Sequence, residues 1–100
     1  MGKHVVWSPQ ADHSFDEIVE YLTTEWGFKE VEQFVRNVLD MTKHISTFPQ
    51  MFPEFNDWKI RKALINPNIS LIYKISDEQI ELLTFWNNKQ DPTILKTIIN

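Results

Sequence analysis

The apolar positions of this 100-residue chain change period halfway along, and that change requires two kinds of element in one fold. Ala11, Phe15, Ile18, Val19, Leu22 and Trp26 recur at spacings of three and four, with Asp12, Asp16, Glu17, Glu20 and Thr24 between them. A helix brings the first set onto one face and the second onto the other. After Gly27 the same rhythm restarts with Val31, Phe34, Val35, Val38, Leu39 and Ile45. Glycine accepts the left-handed geometry that ends a helix, and so short a connection folds the two helices into a hairpin. From Trp58 the period falls to two. Trp58, Ile60, Lys62 and Leu64 share one face of a strand, and Lys59, Arg61, Ala63 and Ile65 share the other.

Local punctuation sets the boundaries. His4 to Trp7 is a short β-branched run, and Ser8-Pro9 after it supplies an N-cap and a first helical residue. Pro49 disfavours helical geometry at Phe48, so the second helix stops near Thr47, and with Pro53 it predicts an irregular stretch to about Asp57. Asn66-Pro67-Asn68 and Ser76-Asp77-Glu78 are turns that separate the strands Ile69 to Ile75 and Ile80 to Trp86. Asn87 to Gln90 is a loop, and Asp91-Pro92 starts a short helix continued by Ile94, Leu95, Ile98 and Ile99.

The order β-α-α-β-β-β with a short C-terminal helix predicts an α+β fold. A helical hairpin packs on one face of a mainly antiparallel four-stranded sheet. Ile72, Leu83 and Phe85, with Ala63 and Ile65, make the other face too apolar for water. A partner or the C-terminal segment is expected there.

The length suits one domain spanning residues 1–100, and 13% aromatic residues suit a small core built on large rings. Without cysteine there is neither a disulfide framework nor a thiolate site, which fits the cytoplasm, and no apolar run is long enough for a membrane span. His4, His13 and His44 have no ligand spacing, so no metal and no cofactor are expected. Two glycines cannot build a phosphate loop, and there is no Gly-x-Ser-x-Gly elbow. The net charge of −4 gives no general attraction to nucleic acid, so any such contact needs a local basic patch.

Val6-Trp7-Ser8-Pro9-Gln10-Ala11 precedes an acidic helix with Ile18-Val19-Glu20-Tyr21-Leu22, and a second helix ends at Phe48-Pro49. Ile69 to Ile75, Leu82-Leu83-Thr84-Phe85-Trp86 and Lys89-Gln90-Asp91-Pro92 follow. In order and spacing these segments resemble the RelE/ParE superfamily of bacterial toxins, known from plasmid stabilisation modules, over nearly the whole chain. The resemblance implies a type II toxin bound by a cognate antitoxin in a hetero-oligomer. Its target is DNA gyrase in the ParE-like branch, or the ribosome and its mRNA in the RelE-like branch.

Metal-free RNA cleavage needs a group to activate the 2′-hydroxyl, a cation for the phosphorane charge and an acid for the leaving oxygen. Lys59 and Arg61 resemble the paired basic residues of the nuclease branch, and Lys62, Lys74 and Lys89 are candidates for holding phosphate or another target. Ser70 stands where that branch carries an arginine, and after Trp86 there is no His, Tyr or Arg. These departures favour a ParE-like binder over an mRNA endonuclease, with a non-toxic binding module on the same fold as a third reading. Ile72, Leu83, Phe85 and Trp86 are the candidate antitoxin contacts. Plainer readings stand beside these: Lys59, Arg61 and Lys62 form a solvated edge with Arg61 tying the sheet to an acidic loop residue, Tyr73 and Trp86 are core or rim aromatics, Asn87 and Asn88 shape a turn, and His13 pairs with Glu17 on the surface.

Overall fold

The computed structural model describes residues 2–55 and 59–99. The elements run β1 (His4–Trp7), α1 (Pro9–Glu25), α2 (Phe28–Thr47), β2 (Glu54–Phe55), β3 (Ile60–Leu64), β4 (Ile69–Ile75), β5 (Gln79–Asn87) and α3 (Pro92–Ile99). Trp58, expected at the head of the first meander strand, lies outside the described residues, as do the side chains of Ile98 and Ile99.

Ser8 caps α1 as its position predicts. Its hydroxyl accepts the Ala11 N–H at 3.0 Å and donates to the Leu83 carbonyl at 3.0 Å, joining the helix start to β5. At the far end the N–H groups of Trp26 and Gly27 both donate to the Leu22 carbonyl, and Gly27 turns the chain at φ +111°, a region L side chains rarely enter. Asp91 starts α3 by accepting the Thr93 N–H, which holds its carboxyl below the ordinary value.

The sheet has five strands in the order β1-β5-β4-β3-β2, one more than the alternation predicts. The extra strand is β2, inside the stretch expected to be irregular, where Glu54 and Phe55 pair with Arg61 and Ile60. Two residues directly after Pro53 carry no legible period. β1 runs parallel to β5, and the remaining pairs are antiparallel.

The hairpin covers one face. Ala11, Phe34, Val38 and Ile45 from the helices close on Ala63, Ile65, Leu71, Tyr73, Ile80, Leu82 and Phe85 from the sheet. Trp7, Phe15, Phe34 and Phe85 interlock with ring centroids 5.4 to 6.2 Å apart, tying α1, α2, β1 and β5 together. On the other face α3 lays Leu95 over Ile60, Ile72 and Trp86, with Phe55 and Leu83 at the margin.

Of the two covers expected for the second face the C-terminal segment is the one present, and the residues expected on that face need one correction. Phe85, Ala63 and Ile65 face the hairpin instead. The cause for Phe85 is a β-bulge. Ile72 pairs with Thr84 and Tyr73 with Leu82, which leaves Leu83 as an extra residue on β5 and reverses the alternation beyond it. Ser14 on α1 stabilises the bulge. Its buried hydroxyl donates to the Ala11 carbonyl and accepts the Phe85 N–H at 2.9 Å.

Candidate functional site

Arg61 enters from β3 with its side chain 17% exposed. Its guanidinium donates to the Phe52 carbonyl and lies 3.9 Å from the Glu54 carboxylate, so it ties the sheet to the loop and to β2. Beside it the fully buried Tyr73 donates its hydroxyl to the Pro49 carbonyl at 2.8 Å. Burial pushes the Tyr73 phenol above its ordinary value of 10.0, an effect that the Arg61 charge and the Phe52 backbone partly offset. The phenol therefore stays protonated at neutral pH and acts as a donor. Both side chains fasten the Phe48-Pro49 corner and the loop after it.

Lys59 does not join Arg61 on the strand. It sits exposed in the turn before β3 at φ +57°, alone among the described non-glycine residues in having positive φ. Lys62 projects to the opposite face and stands 5.4 Å from the centre of the Phe55 ring. Lys74 is exposed on β4, paired in register with Glu81, and Lys89 is exposed in the loop after β5. The five predicted basic residues thus do not converge on one point. Ser70 is buried and donates to Asn88 Oδ1 at 2.7 Å, which locks the exit of β5 onto β4.

Of the apolar residues expected to meet an antitoxin, Phe85 lies in the hairpin core, while Ile72 and Trp86 lie beneath α3. Leu83 is half-buried. These positions are therefore not an open surface, because the helical hairpin covers Phe85 and the C-terminal helix covers Ile72 and Trp86. His13 Nε2 lies 3.3 Å from Glu17 Oε1 in an exposed pair one helical turn apart. Among the described residues no group of three or more His, Asp or Glu side chains converges to hold a metal.

One open cleft of about 750 Å³ lies at the tip of the hairpin. One wall is the second half of α1 and the start of α2, with Glu17, Tyr21, Trp26 and Glu30. The other is the β3–β4 turn and the loop after β5, with Asn66, Asn68, Asn87, Lys89 and Gln90, and Phe34 and Phe85 form the floor. Sequence reading misses this cleft because its walls are some fifty residues apart. It also places Trp26 on the buried stripe of α1, whereas Trp26 is 65% exposed and its neighbours Tyr21 and Phe28 are 58% and 77% exposed. The legible signal was Trp26-Gly27-Phe28, two large rings flanking a helix–helix turn where polar residues are usual. A second shallow groove adjoins it, lined by Glu17, Glu20, Tyr21, Thr24 and Glu25.

Charge is divided unevenly between the layers. The hairpin, residues 9–47, holds eight carboxylates against Lys29, Arg36 and Lys43. The helical layer beside the cleft is therefore more negative than the chain as a whole, whose net charge is −4. No helix among the described residues is long and apolar enough to cross a membrane.

The family model described as the ParE toxin of the type II toxin–antitoxin system parDE matches residues 5–92. No curated protein matches the sequence. Among solved structures, the chromosomal ParDE toxin–antitoxin system from P. aeruginosa superposes with a TM-score of 0.74 at 12% identity, over 85% of this chain and 95% of that one. The YoeB dimer from Staphylococcus aureus gives 0.54 at 17% identity over 84% and 94%, and a YafQ mutant from E. coli gives 0.53 at 15% over 86% and 93%. At such identities the likeness is one of fold, and it is the fold expected from the RelE/ParE resemblance, with the fifth strand added.

Proposed function

The chain belongs to the ParE toxin family of type II toxin–antitoxin systems, and from that premise we propose that it inhibits growth in the cytoplasm by binding DNA gyrase. On this reading a cognate antitoxin neutralises it by forming a hetero-oligomer with it. The observation that carries the choice of binding over catalysis is the engagement of Arg61. Its guanidinium holds the Phe52 carbonyl and faces Glu54, and the neighbouring Tyr73 hydroxyl is held by Pro49. Cleavage of RNA without metal needs a cation and an acid–base pair free to meet a phosphate. Here the strand position that resembles the nuclease branch does a mechanical task, and Ser70, which stands where that branch carries an arginine, is buried.

The superpositions on YoeB and YafQ keep a second reading in view, an mRNA endonuclease that uses the exposed Lys59 with the half-buried Lys62 holding phosphate. The deciding experiment induces the chain alone in bacteria, maps mRNA ends and scores gyrase-dependent supercoiling in parallel. Blocked supercoiling with intact mRNA is the expected result. Codon-phased mRNA ends that vanish with Lys59→Glu/Lys62→Glu establish the nuclease. Normal growth leaves a binding module without toxicity.

A further inference from the structure

Single exposed aromatic residues are ordinary, but Tyr21, Trp26 and Phe28 stand together at the hairpin tip, and the first two line the cleft. We infer that this cleft docks a basic amphipathic segment of the antitoxin, one that carries a large apolar side chain flanked by two or more Lys or Arg. The inference rests on the toxin–antitoxin reading above and adds the chemistry of the partner.

Three layers of the cleft define that chemistry. The rings of Trp26, Tyr21 and the floor suit one apolar anchor, because a large side chain buried in a pocket supplies most of the affinity of such a contact. Glu17 and Glu30 line the wall around it, and Glu20 and Glu25 continue the acidic surface into the adjoining groove. Lys89 is the single cation among the described lining residues. An acidic partner would bring like charge against these carboxylates, which is unfavourable, whereas Lys or Arg beside the anchor meets them directly and speeds encounter. The same carboxylates disfavour nucleic acid and anionic lipid.

The third layer is the amide rim. Asn66 Oδ1 already accepts the N–H groups of Asn68 and Ile69, and Asn87 Oδ1 accepts that of Lys89. The NH₂ groups of both therefore stay available as donors, and main-chain carbonyls of a docked segment are the natural acceptors. A segment with positive side chains toward α1 and α2 and its carbonyls toward the rim satisfies all three layers at once.

The test co-expresses the chain with the full-length antitoxin encoded by the adjoining reading frame, then measures Kd by fluorescence anisotropy at low and high salt. Glu17→Lys/Glu30→Lys is expected to weaken binding by about tenfold or more at low salt, with the deficit shrinking at high salt. Glu17→Gln/Glu30→Gln should show a smaller loss in the same direction, and Trp26→Ala a loss of about tenfold or more that salt does not relieve. Asp40→Lys/Asp77→Lys changes the net charge equally but away from the cleft, and should stay within about twofold of the parent. Unchanged or tighter binding by Glu17→Lys/Glu30→Lys overturns the inference, as does an equal loss from the distant pair. If the neighbouring product forms no complex and does not rescue growth, the antitoxin reading itself falls, and this inference with it.

Discussion

Two polar regions of the molecule have opposite fates. The Arg61 guanidinium and the Tyr73 hydroxyl both have internal partners, and the result is a fastened corner between α2, β2 and the sheet. At the hairpin tip Tyr21, Trp26 and Phe28 lie open beside carboxylates and amide donors. Basic residues on a strand suggest chemistry when read in sequence, yet the fold employs the most suggestive of them as a brace. The aromatic and acidic tip faces outward, and that surface is suited to recognition.

The comparison predicts a graded series of stability losses. Arg61→Ala removes a charged donor from a partly buried carbonyl and should lower unfolding free energy by about 2–3 kcal/mol in urea titration. Stability equal to the parent's would mean that Arg61 is no brace and is free for another task. Ser14→Ala strands the buried Phe85 N–H at the bulge and should cost about 2 kcal/mol by the same measurement. A smaller effect would show that the bulge relaxes without its hydroxyl.

Tyr73→Phe deletes one neutral hydrogen bond and should cost about 1 kcal/mol near neutrality. It also has a pH signature. The folded phenol titrates above the unfolded value of 10.0, so the folded state holds the proton longer. That stabilisation is complete below pH 10.0 and is lost as pH rises through the folded value. The alkaline limb of the stability profile should therefore be flatter in Tyr73→Phe than in the parent, and identical limbs would contradict the assignment. Trp26→Ala comes last. With its side chain largely in solvent, it should change stability by no more than about 0.5 kcal/mol while weakening the antitoxin complex. A large loss of stability would return Trp26 to the core and remove the contrast between the two regions.

Much of the architecture was legible because it depends on local signals. Ser8-Pro9, Gly27, Pro49 and the turn at Asn66 to Asn68 mark ends that the structure reproduces within a residue or two. The candidate site was much less legible. Lys59 and Arg61 share a face by simple alternation, but the backbone leaves the extended region at Lys59, and no side-chain pattern announces that. Leu39 follows the helical rhythm and yet is 57% exposed, since periodicity gives a stripe but not how far the opposing layer extends.

The sequence by itself determined the two periods, the helical hairpin, the antiparallel meander and the acidic character of the helical layer. Each follows from residues within a few positions of one another. The tertiary structure decided the parallel pairing of β1 with β5, the cover that α3 lays over the second face, the phase of Phe85 beyond the bulge and the cleft itself. All of these require segments far apart in the chain to meet. A hydrophobic period specifies which face is buried, but a β-bulge or a long crossover changes what that face meets without altering the pattern that encoded it.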